Sequence, residues 1–556
     1  MADTSKKQSF LHGTMLLALS TAVVKIIGAF YSIPLKQIIG DDSFGYYSTA
    51  YEIYTLLLLI STAGLPVAMS RMIASASSLN HYREMRKIYT TARTIFLTLG
   101  FIGTLLMTGF CKQLAVWQQQ PDAWAAIGTL GPCCFLICLM STYRGFFQGQ
   151  GNMKPTSVSQ VIEAVCKLVV GLALALWLVN ITTIGAYPAA GAIFGVTASC
   201  LISSFYLNRC FRKAYKEMPP SCEEVSSGKD IAKGLLSIAI PITIGAAGLQ
   251  LLTVLEIGVY MSKLRENFSA ILHTAEFEHL FQVFGKADAK DAVQSIMDTQ
   301  KGIYNFTQKI FNMPCAFITP ITISIIPAIT SQLTLKNQSA AKSTGESASR
   351  ICALVAMPCG IGLALLAEPI TRLLGGYTGE KLALATQLMS VLGVCVVFNS
   401  LVLLTTAIMQ AYGHEKLPVV NMFVGGLVKL AAVFILTGNP AIGIVGTPIG
   451  SLLCYVCITV LNLFTMRRVL PNPPAVLKNM FRSLLAAALM GATAWGTWKG
   501  LQILLNGSVN ALIACAVPIV AGAVVYFIAA IKLRAITRED CLLLPKGEKI
   551  SNLLHL

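Results

Sequence analysis

Eight ionisable side chains fall inside runs that are otherwise apolar: Lys25, Glu52, Arg71, Glu163, Lys167, Glu256, Lys309 and Lys429. A charge near the middle of a bilayer-spanning helix costs about 2.5–3.5 kcal/mol on insertion scales, so each needs a partner, a wet cavity or a function. Basic groups outnumber acidic ones. A cavity lined by Lys25, Lys309, Lys167, Lys429 and Arg71 attracts an anion such as a phosphate or diphosphate and repels a lipophilic cation. The acids Glu163, Glu256 and Glu52 are the candidates for ion pairing or for coupling to a cation. Each residue also has a plainer reading. Glu163 precedes Lys167 by four residues, the favourable order for a mutual ion pair along a helix. Arg71 and Glu52 lie near opposite ends of their run and can snorkel to the interface. Lys25 lies about 22 Å into its helix, too deep for that.

The elements that must position these groups follow from composition. The chain has 556 residues, of which 55% are apolar and only 12% charged, with a mean hydropathy of +0.68. A soluble protein carries about a quarter charged residues, so a cytosolic enzyme, a secreted disulfide scaffold and a disordered chain are excluded. Apolar runs of about 20 residues, each long enough to cross a bilayer, recur about fourteen times, among them 10–39, 44–72, 302–331 and 509–533, with one long external segment over 261–301 that could hold one or two interfacial amphipathic helices. The expected fold is therefore an all-α polytopic membrane protein. The net charge of +17 is the surplus of Lys and Arg that cytoplasmic segments carry. Basic residues collect in alternate segments (Lys6, Lys7; Arg83, Arg86, Lys87; Arg209, Arg212, Lys213, Lys216), which places both termini in the cytoplasm.

An internal repeat organises the spans. Gln148, Gly151, Lys154 and Lys167 recur as Gln410, Gly413, Lys416 and Lys429, at a constant spacing of about 262 residues. Six spans separate the copies, so the two bundles run parallel, with a pseudo-two-fold axis along the membrane normal and the substrate path expected between them. The expected divisions are an N-lobe over 1–207, a cytoplasmic linker over 208–230, a C-lobe over 231–466, and two extra helices with a tail over 467–556. Prolines 34, 66, 241, 314 and 327 mark where the first two helices of each repeat can bend for gating, since proline removes an intrahelical hydrogen bond.

Enzyme signatures are absent: no nucleotide-binding glycine loop, no HExxH and no nucleophile elbow. The 16 cysteines fall mostly in apolar runs, where a thiol packs as a small hydrophobe. His273 and His279, with Glu276 and Glu278, read as a solvated amphipathic face. Neither a metal nor a cofactor is expected.

Several motifs carry a family resemblance. Lys25-Ile-Ile-Gly28, Gly40-Asp41-Asp42-Ser43-Phe44-Gly45-Tyr46-Tyr47, Gly64-Leu65-Pro66-Val67-Ala68-Met69-Ser70 and Arg144-Gly-Phe-Phe-Gln148-Gly-Gln-Gly-Asn152-Met-Lys-Pro155 resemble bacterial polysaccharide exporters. The likeness is to the stage V sporulation protein B and MurJ-type lipid II flippase branch of the multidrug/oligosaccharidyl-lipid/polysaccharide exporter superfamily. It implies a flippase rather than an enzyme, one that moves a polyprenyl-diphosphate-linked oligosaccharide between leaflets of the bacterial inner membrane by alternating access. In that family arginines on helices 1 and 8 line a cationic cavity. Lys25 and Lys309 occupy two such positions, and Tyr31 stands where a second helix 1 arginine is expected. The two extra C-terminal helices would guide the lipid tail. The implied partners are the lipid-linked oligosaccharide, membrane lipids and a coupling cation, with a monomeric protein and no nucleic acid. A proton- or sodium-coupled multidrug exporter of the same fold is the alternative.

Overall fold

A long apolar run in lipid can satisfy its peptide groups only through its own helical hydrogen bonds, and the chain follows that rule. The computed structural model describes residues 2–62, 64–182, 184–219, 225–285, 291–334, 336–504 and 510–535, and among these the regular structure is helical throughout. In chain order the helices are α1 (Ala2–Thr62), α2 (Leu65–Ser78), α3 (Tyr82–Gly109), α4 (Cys111–Trp117), α5 (Trp124–Gly149), α6 (Lys154–Ile181), α7 (Ala186–Lys216) and α8 (Gly228–Ala270). They continue with α9 (Ala275–Phe284), α10 (Ala292–Thr334), α11 (Gln338–Leu365), α12 (Ala367–Gly375), α13 (Gly379–Ala411), α14 (Lys416–Thr437), α15 (Gly446–Val469), α16 (Val476–Leu504) and α17 (Ala511–Lys532). Every expected span has its helix, α1 with α2 covering the first two, so the chain is an all-α polytopic membrane protein.

The boundaries differ from the apolar runs in three places, each for a physical reason. The first span runs on into the second as the single helix α1, whose interior departs from helical geometry at Gly40, with a φ of 77° in the left-handed region that a glycine adopts without penalty. The second expected span, 44–72, is interrupted between Thr62 and Leu65. Pro66 therefore stands in the first turn of α2 rather than bending a continuous helix, a position where its missing N–H costs nothing. At that break a Cβ on Gly64 would lie 2.1 Å from the Ala239 carbonyl oxygen of α8, so only glycine admits the contact. The outer segment 261–301 holds the end of α8, the short α9 and the first turns of α10.

The chain divides into two compact units, Met1–Arg265 with Gly285–Gly302, and Glu266–Phe284 with Ile303–Leu556. In the first, α5 packs against α1, α2, α3 and α7, while α6 packs against α1 and α7. Most of α8 belongs to this unit, where Gly64 meets Ala239, whereas the repeat alone assigns 231–466 to one lobe. In the second unit α13 packs against α11 and α15, α14 against α15, and the extra helices α16 and α17 against each other and against α11 and α12. The Tyr526 hydroxyl of α17 donates to the Leu354 carbonyl of α11 at 2.8 Å.

The repeat is visible in backbone geometry. Gly151 and Gly413, after α5 and α13, have φ of 75° and 84°. At both ends the glycine N–H bonds back three residues and the next N–H five residues: Gly151 to Gln148 and Asn152 to Phe147, then Gly413 to Gln410 and His414 to Met409. This is a Schellman stop, which satisfies the last carbonyls of a helix. The following helices carry Lys167 and Lys429. In each unit a glycine of the next helix abuts the lysine's own carbonyl: a Cβ on Gly195 would sit 3.2 Å from Lys167 O, and one on Gly450 3.4 Å from Lys429 O.

A Cβ on Gly195 would also lie 2.4 Å from the Gly171 Cα, and backbone cannot retreat as a flexible side chain can. Gly195→Val is expected to lose about 1–3 kcal/mol through overpacking, read as a lowered thermal midpoint of the purified protein. Gly496→Ala, with nothing within 4 Å of the new carbon, should leave the midpoint unchanged or slightly raised.

Candidate functional site

The centre of the first unit concentrates ionisable and aromatic side chains on α1 and α6. Lys167 lies near the middle of α6, thirteen residues or about 20 Å from its start. Its Nζ stands 4.6 Å from the ring centroid of Tyr51 and 5.3 Å from that of Tyr31. Tyr47 stacks on Tyr51 at 6.0 Å and tilts against Tyr31 at 6.3 Å. Tyr47 also hydrogen-bonds the Lys167 side chain. The negative faces of aromatic rings hold a desolvated cation, so the lysine charge is kept inside the span without being neutralised. The spacing of four residues between Tyr47 and Tyr51 puts both on one face of α1, and Tyr31 is anchored by its hydroxyl donating to the Ala192 carbonyl at 3.4 Å.

Glu163 is not the partner of Lys167. Its carboxylate accepts from Arg144 of α5 at 2.9 Å, and Arg144 Nε donates to the Ser159 hydroxyl at 3.1 Å. Arg144, near the end of α5, is itself largely buried. A guanidinium held by an acid and a hydroxyl makes charge-assisted hydrogen bonds stronger than neutral ones. The mutual Glu163–Lys167 pair is therefore replaced by Arg144–Glu163, and Lys167 is left to the tyrosines.

A second polar cluster escaped sequence reasoning. Lys301 of α10 is 0% exposed, and its Nζ donates to Thr49 at 2.5 Å and to the Gln120 side-chain carbonyl at 2.9 Å. Asp298, one turn earlier, accepts from Gln120 at 2.8 Å, Gln294 at 2.7 Å and the Tyr46 hydroxyl at 3.1 Å. Asp42 accepts from Thr299, and the Glu52 carboxylate faces the Lys301 charge. Gly45 and Gly302 make the approach possible: a Cβ on Gly302 would lie 2.0 Å from the Asp41 carbonyl oxygen. Reading 261–301 as an external segment hid Asp298 and Lys301. The available signal was their spacing of three residues, acid before base, on the same helical face as the apolar run that follows.

The remaining candidates are dispersed. Arg71 is exposed on α2, Glu256 is buried in α8 and Pro34 lies within α1 with no departure from helical geometry there. In the second unit Lys309 of α10 and Lys429 of α14 are half-buried, Lys429 lying near the Cys395 thiol, and Pro314 is buried in α10. The side chains of Lys25, Pro241 and Pro327 lie outside the described residues. His279 reaches Glu380 at 3.2 Å. The counterpart of the Arg144 cluster, about 262 residues on, is uncharged: Asn421 donates to Asn462 at 2.9 Å and faces Thr465 at 3.4 Å, and Asn462 donates to Thr405 at 3.0 Å.

Asp298 and Lys301 share Gln120 and act on each other electrostatically, so removing one buried charge leaves the other less compensated. Asp298→Leu and Lys301→Met are each expected to lower the protein's unfolding midpoint strongly. The double substitution should cost less than the sum, a coupling read from a double-mutant cycle. Additive losses would show that the two charges are independent.

Comparison with known proteins agrees with this architecture. Residues 10–333 match the family described as polysaccharide biosynthesis protein, and residues 292–515 match the family described as lipid II flippase MurJ. Stage V sporulation protein B of Bacillus subtilis (strain 168) is 25% identical over 469 residues, covering 84% of this chain and 85% of that protein. The lipid II flippase MurJ of the same organism is 22% identical over 436 residues, 76% of each chain. A solved structure of lipid II flippase MurJ in an inward closed conformation superposes with a TM-score of 0.65 at 13% identity, over 93% of this chain and 99% of that one. An inward-facing MATE family transporter of the MOP superfamily gives 0.61 at 15% identity, over 82% and 98%. These neighbours are transporters, and the fold is theirs. With the family match spanning more than half of its length, the chain belongs to the polysaccharide biosynthesis protein family.

Proposed function

We propose that the protein is a flippase of the bacterial inner membrane that carries a polyprenyl-diphosphate-linked oligosaccharide, a cell-wall or spore-cortex precursor, from the inner to the outer leaflet by alternating access. The observation that carries this reading is Lys167: a positive charge deep in a span, held by tyrosine faces rather than cancelled by an acid. Such a centre attracts a diphosphate and repels the cations that drug exporters carry. Similarity to a lipid II flippase over three quarters of the chain supports the same substrate class.

In this reading Lys167 and Lys25 of the first unit hold the diphosphate, with Arg71 drawing the anion toward the membrane face. Lys309 and Lys429 supply positive charge to the second unit. Tyr51 offers a ring face for a sugar, the prenyl tail stays in lipid beside α16 and α17, and the breaks at Gly40 and Gly64 are where the helices flex. Lysine keeps the charge but lacks the bidentate fork of arginine, so the grip on the diphosphate is looser and release easier. Glu163 is tied to Arg144 and Glu52 faces Lys301, so each of these acids is already held by a base. An inside-negative potential favours expulsion of an anion by about 2.3 kcal/mol per charge per 100 mV.

In proteoliposomes the wild-type protein should translocate lipid II, with Lys167→Ala and Lys25→Ala slowed at least about tenfold, the loss of one good charge contact, and Lys167→Arg retaining transport. Equal rates for all variants would remove these residues from the site, and ethidium efflux in place of lipid II movement would replace the flippase by a drug exporter. The charge asymmetry also supports a cytoplasmic location for both termini. A C-terminal green fluorescent protein fusion should then fluoresce, and a C-terminal alkaline phosphatase fusion should be inactive.

A further inference from the structure

The outer face of the first unit carries a groove unrelated to the Lys167 centre. Helices α3 and α7 meet at one end, where Tyr89 stacks on Phe211 with ring centroids 4.2 Å apart and Arg86 lies over Tyr215 at 5.2 Å. From there they part, and α5 floors the gap. The resulting hollow, about 620 Å³, is lined by Phe101 and Thr104 of α3, Phe135 of α5, and Phe194, Thr197 and Leu201 of α7 among others. Its two threonines present only their methyl groups. Thr104 donates to the carbonyls of Gly100 and Gly131 at 2.9 and 3.0 Å, and Thr197 to that of Thr129 at 3.2 Å. The lining is therefore apolar throughout, and on α3, α5 and α7 it lies within helices long and apolar enough to cross a bilayer.

Two features say what fits there. Along α7 the groove runs from Phe194 to Ile202, about 12 Å at 1.5 Å per residue, within the roughly 15 Å depth of one leaflet's hydrocarbon. That is the reach of a phospholipid's own acyl chain, and far less than a long polyprenyl chain needs. At the end where the helices converge stand two exposed arginines. Arg93 of α3 lies three helical turns before Thr104, on the same face, and Arg209 of α7 lies two turns beyond Ile202, also on the groove stripe. Phe205, 76% exposed, continues that stripe between groove and guanidinium. An apolar channel one leaflet deep, capped by two planar cations suited to phosphate oxygens, is complementary to one molecule with an acyl tail and an anionic head.

We propose that this groove is a binding site for an anionic glycerophospholipid, its acyl chain against Phe101, Phe135 and Phe194 and its phosphate between Arg93 and Arg209. The test is native mass spectrometry of the full-length protein released from detergent, with added phosphatidylglycerol, phosphatidylcholine or undecaprenyl phosphate. Wild type should retain one phosphatidylglycerol. Arg93→Gln with Arg209→Gln should weaken retention roughly twentyfold, at about fivefold for each basic residue near a membrane surface, whereas Arg93→Lys with Arg209→Lys should keep most of it. Ala198→Phe fills the groove without touching either arginine and should also expel the lipid. The charge substitutions are on the surface, and an unchanged elution profile reports their folding. Equal retention of phosphatidylcholine, or phosphatidylglycerol binding indifferent to both the Arg→Gln pair and Ala198→Phe, would overturn the proposal. Displacement of phosphatidylglycerol by undecaprenyl phosphate at equal concentration would assign the groove to the carrier lipid instead.

Discussion

A charge taken out of water loses several kcal/mol of hydration and must recover it from an opposite charge, a set of dipoles or the face of an aromatic ring. The first unit uses all three. Arg144 finds an acid in Glu163 and a hydroxyl in Ser159. Lys301 finds Thr49 and Gln120, with Asp298 and Glu52 supplying the field. Lys167 finds tyrosine rings. The three solutions differ in what they leave for a ligand. An ion pair is electrically closed and a hydrogen-bonded network is geometrically closed. A ring face stabilises a cation without discharging it, so only the Lys167 arrangement keeps a net positive centre available to an anion.

The same requirement explains why close backbone contacts accompany the charged positions. Short side chains such as Thr49 and Asp42 reach across to α10 only because Gly45 and Gly302 let the two backbones come together. Gly195 on Gly171 does the equivalent for α6 and α7 beside Lys167. Polar satisfaction inside a membrane is paid for in glycine, whose missing side chain brings donors and acceptors within bonding distance.

Much of this was readable in advance. Spans follow from apolar run length alone, and the repeat from the paired Gly151 and Gly413, which turned out to close their helices by the same hydrogen bonds. The family followed from the motifs around Gly40, Gly64 and Arg144. What resisted reading was pairing across helices. Glu163 has a base four residues away and another nineteen residues away across a turn, and periodicity along one helix favours the nearer one. Geometry chose the farther, because α5 faces that side of α6. Asp298 and Lys301 were missed for a related reason: run length marks where apolar sequence begins, not where a helix begins, and α10 starts ten residues before the apolar run at 302. Tyr31 stood out only as the residue at an expected arginine position, and Tyr47 and Tyr51 carry no charge, so their gathering around Lys167 showed only once the kink at Gly40 brought Tyr31 beside Tyr47.

The duplicated halves also differ in how they can change. Around Arg144 two formal charges depend on each other, and loss of either strands its mate. About 262 residues later the equivalent seam is built from Asn421, Asn462, Thr405 and Thr465, neutral groups that can swap roles as donor and acceptor. Under random substitution the second seam can drift through a series of tolerated polar combinations, whereas the first can leave its present state only by two simultaneous changes.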